Sequence, residues 1–148
     1  MKAITLWQPW ASMIAIGCKV NETRSWKTLH RGPIAIHAAK RFREDEMIFA
    51  RDVILFHRPI QDAIRTYGMS CLADFPLGAI VAVANIIDVI PTEDAYGIYG
   101  VVDYELGDYT PGRFAWLLED IKHLPPIPCR GAQGIWNLPD DIERMVSA

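Results

Sequence analysis

Cysteine is scarce: Cys18, Cys71 and Cys129 are odd in number and widely separated among 148 residues. That argues against a disulfide framework and against a zinc site of the CxxC kind, and a cytoplasmic, reducing home is the expectation. No apolar run reaches the roughly 18 residues of a membrane helix, so no membrane partner is expected. The opening stretch, Met1-Lys2-Ala3-Ile4-Thr5-Leu6, is too short and too soon polar for a signal peptide. There is no internal repeat and no low-complexity stretch. No pattern calls for a metal or a cofactor, and none is expected. Basic residues are sparse in the second half. Residues 66–148 hold four Lys and Arg against twelve Asp and Glu, whereas residues 1–65 hold eleven against six. A net charge of −3 argues against a general nucleic-acid coat. The asymmetry suits one local basic surface for a polyanion, or two halves that attract each other.

What is present is enough for one domain, residues 1–148, with a real core. Residues 2–6 read as a first strand and residues 8–17 as a short helix, with Pro9 in its first turn and Gly17 in the left-handed position that ends it. Residues 19–26 and 32–40 read as strands. Apolar periodicity predicts a helix over 42–57, and Pro59 opens another that ends at Gly68. Residues 78–90 are β-branched and nearly all apolar, as a central buried strand would be. Residues 91–112, rich in Gly, Tyr and acid, read as a loop. Strands over 113–124 and around Ile135-Trp136 follow, then a terminal helix from Pro139. The pattern predicts an α+β fold: a small mixed β-barrel of five to six strands with flanking helices and a helical insertion at about 41–75.

Gly17-Cys18-Lys19-Val20-Asn21-Glu22-Thr23-Arg24 crowds three charges into the start of a strand. Alternate residues of a strand share a face, so Glu22 and Arg24 lie side by side. Lys19 follows the sharp turn at Gly17, which aims its side chain back toward the strand. The three can therefore converge at one end of a barrel, where a Glu–Arg pair fixes geometry and an ammonium serves a phosphate or a proton transfer. The bland alternative is an exposed ion cluster on an edge strand.

The segment matches G-x-K-x-x-E-x-R, the signature of ASCH domains, the family named after the activating signal cointegrator-1 homology. "LWQPWASMIAIG" before it, "RGPIAIHAAK" after it, and "GRFAWLLED" and "IPCRGAQGIWNLP" farther on resemble the family too. The resemblance implies a PUA-like barrel. It also implies a motif-lined cleft between barrel and first helix, proposed in the family to hold RNA or a nucleotide. Some members resemble ribonucleases. Another group are amidohydrolases of N4-acetylcytidine that use a lysine at the position of Lys19 with a threonine and a glutamate. Here Glu22 stands where that threonine would be, with Thr23 and Ser25 adjacent.

The expected partner is RNA or a nucleotide, with Lys19 and Glu22 as catalytic candidates should the protein be a hydrolase, ribonuclease ahead of amidohydrolase. Arg24, Thr23, Ser25, Trp10, Trp26, His37, Lys40 and Arg113 are the binding candidates. A protein-interaction domain is the third reading. Trp7, Trp10 and Trp26 serve either as base-stacking rings or as core. His37 is a ligand contact or a hydrogen-bonded buried imidazole. Lys40, Arg41 and Arg43 are phosphate contacts or a solvated helix start. Gln133 and Trp136 close the far side of the cleft. Glu93, Asp94 or Glu105 supplies a carboxylate opposite Lys19. The pull of Glu22 is expected to offset burial and keep Lys19 charged at neutral pH.

Overall fold

The computed structural model describes residues 1–148, the side chain of Leu55 excepted. Six strands form one sheet: β1 (Lys2–Leu6), β2 (Asn21–Arg24), β3 (Gly32–Ala38), β4 (Ala79–Pro91), β5 (Phe114–Pro128) and β6 (Ile135–Asn137). Their order is β2-β5-β4-β3-β1-β6. Only β1 and β3 run parallel; the other neighbours are antiparallel. The sheet curls into a half-barrel, so the expected mixed barrel is present with β2 and β6 as its free edges.

Helix α1 (Trp10–Ala15) packs across β3, β4 and β5. Ala11, Ile14 and Ala15 of the helix meet Ile34, Ile36, Val81, Ile86 and Trp116 of the sheet, and this is the main core. Strand alternation divides β3 between two cores. Ile34, Ile36 and Ala38 face α1, while Ala35 faces Ile80, Leu138 and Val146 under the terminal helix. That helix is α6 (Asp140–Ser147). Among the described residues no helix is long and apolar enough to cross a membrane.

Three expectations need correction. The helix predicted over 42–57 ends early: α2 spans Glu44–Asp52, a single 3-10 turn covers Ile54–Phe56, and α3 runs Arg58–Thr66. Pro59 lacks an amide hydrogen and its ring would clash with a preceding helical turn, so the chain must break before it. The region read as a loop holds α4 (Thr92–Ala95) and α5 (Gly100–Glu105), both too short for helical periodicity to show. Strand β5 continues past Leu124 through Pro125 and Pro126 to Pro128. Ile80 pairs with Ile127 and Ala82 with His123, so the two prolines fall in a bulge where no ladder amide is needed.

Candidate functional site

The floor of the site is the turn from α1 into β2. Gly17 has φ +81°, the left-handed conformation that a side chain disfavours. Its amide caps the Ile14 carbonyl at 2.9 Å, and the Lys19 amide reaches the Met13 carbonyl at 3.0 Å. The Lys19 side chain folds back under the strand it precedes. It is 2 % exposed. Its ammonium donates to the Asn21 carbonyl at 2.5 Å and lies 3.8 Å from Glu22 Oε2. Glu22 Oε1 pairs with Arg24 Nε at 3.1 Å. Glu22 Oε2 is buried and takes no hydrogen bond. Arg24 spans the gap to β1, donating to the Thr5 carbonyl at 3.0 Å. The ion cluster on an edge strand is thus not an exposed one.

Burial lowers the Lys19 pKa from its ordinary 10.5; Glu22 and Asp103 oppose the shift and Arg24 adds to it. The expected balance therefore goes the other way. Desolvation outweighs the carboxylates because the side chain is almost wholly enclosed and the ammonium has one carbonyl in hydrogen-bond reach.

A cavity of about 440 Å³ opens above this floor. Lys19, Glu22, Thr23 and Arg24 line its base, Trp7 and Trp10 one side, and Glu46 and Phe49 of α2 another. Glu105, Asp108 and Arg113 close it. Three cations therefore face four carboxylates. Trp10 is held by its indole N–H on Glu46 Oε2 at 3.1 Å. Burial raises the Glu46 pKa, with Asp45 adding to the shift. Arg113 donates to the Asp108 and Thr23 carbonyls at 3.2 and 3.3 Å. The Thr23 hydroxyl oxygen accepts the Asp108 amide at 3.0 Å.

Lys19, Glu22, Thr23, Arg24, Trp10 and Arg113 are thus brought to one cavity. Ser25 is exposed and lines no described cavity. Trp26, His37 and Lys40 line a neighbouring groove together with Gln133. His37 is fully engaged. Its Nε2 donates to the Cys129 carbonyl at 2.8 Å, and its Nδ1 stands 3.2 Å from the Thr5 hydroxyl, which also accepts the Trp136 indole at 3.2 Å. Burial lowers the His37 pKa, against the pull of the Cys129 carbonyl. His37 is therefore the buried, hydrogen-bonded imidazole of the two readings. Among the described residues no group of three or more His, Cys, Asp or Glu is placed to hold a metal ion.

Of the three carboxylates expected opposite Lys19, Glu105 lines its cavity whereas Glu93 and Asp94 do not; the carboxylate that holds the floor from beneath is a fourth. Glu93 accepts the Gly112 amide at 2.6 Å, Asp94 is exposed, and Glu105 lies 3.4 Å from His57. The fourth is Asp103 of α5, 3 % exposed. Asp103 Oδ1 accepts the Val20 amide at 2.8 Å and the Asn21 amide at 3.0 Å. Its Oδ2 accepts the Asn21 side-chain amide at 3.3 Å and the Tyr109 hydroxyl. Burial, then the bond to Asp103, raises the Tyr109 pKa above the ordinary tyrosine range. The sequence carried one faint signal for it: Asp103 sits between Val102 and Leu106, which pack inward one helical turn apart.

The ASCH domain family model matches residues 4–127. The crystal structure of ASCH from Zymomonas mobilis matches with TM-score 0.59 at 18 % identity, covering 99 % of this chain and 93 % of that one. Two mutant forms of that Zymomonas mobilis protein match with TM-scores of 0.59 and 0.58, also at 18 % identity and 99 % coverage of this chain, covering 96 % and 94 % of theirs. No curated protein matches the sequence. With the family model spanning most of the sequence and the fold shared with solved ASCH structures, the chain belongs to the ASCH domain family.

Proposed function

We propose that the cleft binds one nucleotide unit of RNA, or a free nucleotide, and that Lys19 and Glu22 act on it. The observation that carries this reading is the buried Lys19 ammonium 3.8 Å from Glu22 Oε2, an oxygen that accepts no hydrogen bond, at the base of a cavity of about 440 Å³. That volume falls among small-ligand sites. ASCH domains in general bind RNA on a PUA-like fold. Trp7 and Trp10 give the cavity an aromatic side for a base, and Arg24 and Arg113 supply cations for a phosphate.

RNA cleavage is the catalytic form of this reading. Glu22 Oε2 takes the proton of a ribose 2′-hydroxyl as that oxygen attacks phosphorus. The bond to the 5′ oxygen breaks, and that oxygen takes a proton from the Lys19 ammonium. A 2′,3′-cyclic phosphate and a 5′-hydroxyl result. The lowered pKa of Lys19 makes its ammonium the readier donor.

The same lowering favours a second reading, amide hydrolysis on a modified nucleoside such as N4-acetylcytidine. There Lys19 acts as a neutral amine, and Thr23, in the same cavity, is the hydroxyl to test. Calorimetric titration with the four nucleoside 5′-monophosphates, and incubation with single-stranded RNA and with N4-acetylcytidine, separate the two. The wild type binds nucleotide and Lys19→Met loses at least tenfold in affinity. Equal affinity in both proteins overturns the site. Fast Lys19-dependent release of cytidine promotes the second reading. Absence of nucleic-acid binding at every ionic strength leaves a protein-interaction domain.

A further inference from the structure

The cleft shares Thr5, Trp7 and Arg24 with a second, larger groove of about 1530 Å³. This groove lies at the end of the sheet where β1 and β3 finish and β4 and β6 begin. Its charge differs in kind from that of the cleft. Arg24, Lys40, Arg41 and Arg130 line it, and no Asp or Glu does. Lys40, Arg41 and Arg130 are exposed, and among the described residues none of the three pairs with a carboxylate. In a chain of net charge −3, these three unpaired cations on one acid-free wall form a local positive field, with the Glu22-paired Arg24 at its edge.

Two tryptophans stand in the same groove, Trp7 and Trp26, each 37 % exposed. Trp26 is steadied edge-on against Trp116 at 4.8 Å between ring centroids. Arg43 lies 5.3 Å from the centre of the Trp7 ring. Both rings are thus braced with surface left open.

The wall that carries Arg130 is also fixed. The Cys129 amide donates to the Gly78 carbonyl at 3.0 Å, and the Cys129 carbonyl accepts His37 Nε2 at 2.8 Å. Gly131 lies so close that an added Cβ would sit 2.5 Å from the His37 ring. Only glycine lets the loop press against the imidazole. His37 therefore serves the groove from beneath, as a positioning residue, without touching a ligand.

We propose that this groove is a track for the backbone of single-stranded RNA, carrying the nucleotides that flank the one held in the cleft; the proposal rests on the nucleotide reading of the cleft. The unpaired cations take phosphates, and the two open rings take unstacked bases, which a duplex would not present. The cleft, with its three cations against four carboxylates, selects and acts on one unit, and the groove supplies the length-dependent affinity.

The test compares wild type, Lys19→Met and the triple variant Lys40→Ala/Arg41→Ala/Arg130→Ala. Each is titrated with nucleoside 5′-monophosphates and, by fluorescence anisotropy, with a labelled twelve-nucleotide RNA of mixed sequence at several salt concentrations. The triple variant changes exposed side chains only, and thermal melting checks that it stays folded. It binds monophosphates like wild type, loses at least tenfold in RNA affinity at low salt, and shows a salt slope shallower by about 2, as three lost single-strand contacts at about 0.7 each require. Wild-type RNA affinity and salt slope in the triple variant overturn the groove. If the monophosphates do not bind wild type yet the triple variant still loses RNA, the cleft reading fails and the groove stands. Binding to phosphatidylserine vesicles that needs the three cations, with no RNA binding, overturns RNA as the occupant.

Discussion

Asp103 grips Asn21 twice, once through the backbone amide at 3.0 Å and once through the side-chain amide at 3.3 Å. The same carboxylate holds Val20 at 2.8 Å and takes the Tyr109 hydroxyl. Lys19 in turn donates to the carbonyl of Asn21. The position of the buried ammonium thus depends on a residue more than eighty positions along the chain.

Asp103→Ala leaves two backbone amides and the Tyr109 hydroxyl without their acceptor in a closed place, and takes one of two acceptors from the Asn21 side chain. The expected loss is about 3 kcal/mol, which in a domain of this size lowers the melting temperature by roughly 10 °C. Asp94→Ala, an exposed carboxylate on α4, leaves it unchanged. Calorimetric melting of both variants decides. A melting temperature for Asp103→Ala within a degree of wild type would show that the network does not hold the turn.

Lys19→Met and Glu22→Ala pull in opposite directions. Methionine keeps the buried stem and removes the desolvated charge, while Arg24 still answers Glu22, so stability stays level or rises. Glu22→Ala strips Lys19 of its nearest carboxylate and Arg24 of its ion-pair partner, at a cost of about 3 kcal/mol. Denaturant unfolding of the two variants measures the contrast. Equal midpoints would mean that water reaches the pair.

The lowered pKa of Lys19 sets a pH dependence with a definite sign. Between its folded value and the ordinary 10.5 the unfolded chain binds the extra proton, so stability rises with pH through that window. Below the folded value the cost of burying the ammonium is complete. Wild type should therefore gain on Lys19→Met as the pH climbs toward 10.5, because the variant lacks this titration. Parallel melting curves across that range would contradict a depressed Lys19.

The strands and the Gly17–Arg24 turn were legible because their signals are local: alternation in Ile34 and Ile36, a left-handed glycine, charges two residues apart. Asp103 was not. Glu93, Asp94, Asp103, Glu105 and Asp108 look alike in the sequence, the spacing of Val102 and Leu106 brackets Asp103 and Glu105 equally, and only long-range pairing buries one of them. The direction of the Lys19 shift was hidden for the same reason. Its carboxylate neighbour is written in the sequence, whereas its enclosure is made by α1, β2 and α5 together. Trp26, His37 and Lys40 were legible as candidates, but their separation into a second groove depends on how the 129–134 loop folds back on β3.

The cleft draws its floor from residues 19–24 and its walls from elsewhere, Glu46 and Phe49 on α2 and the stretch 105–108. Helix α2 rests with α3 on a second core, in which Ala50, Ile54, Ile60 and Ile64 meet Met13 and Ile16 next to the floor and Leu106 from the far wall. A change in that core therefore reaches the floor as well, because Met13 carries the carbonyl that holds the Lys19 amide. Doorway and floor make one mechanical unit, so a substitution that resizes the one is felt by the other.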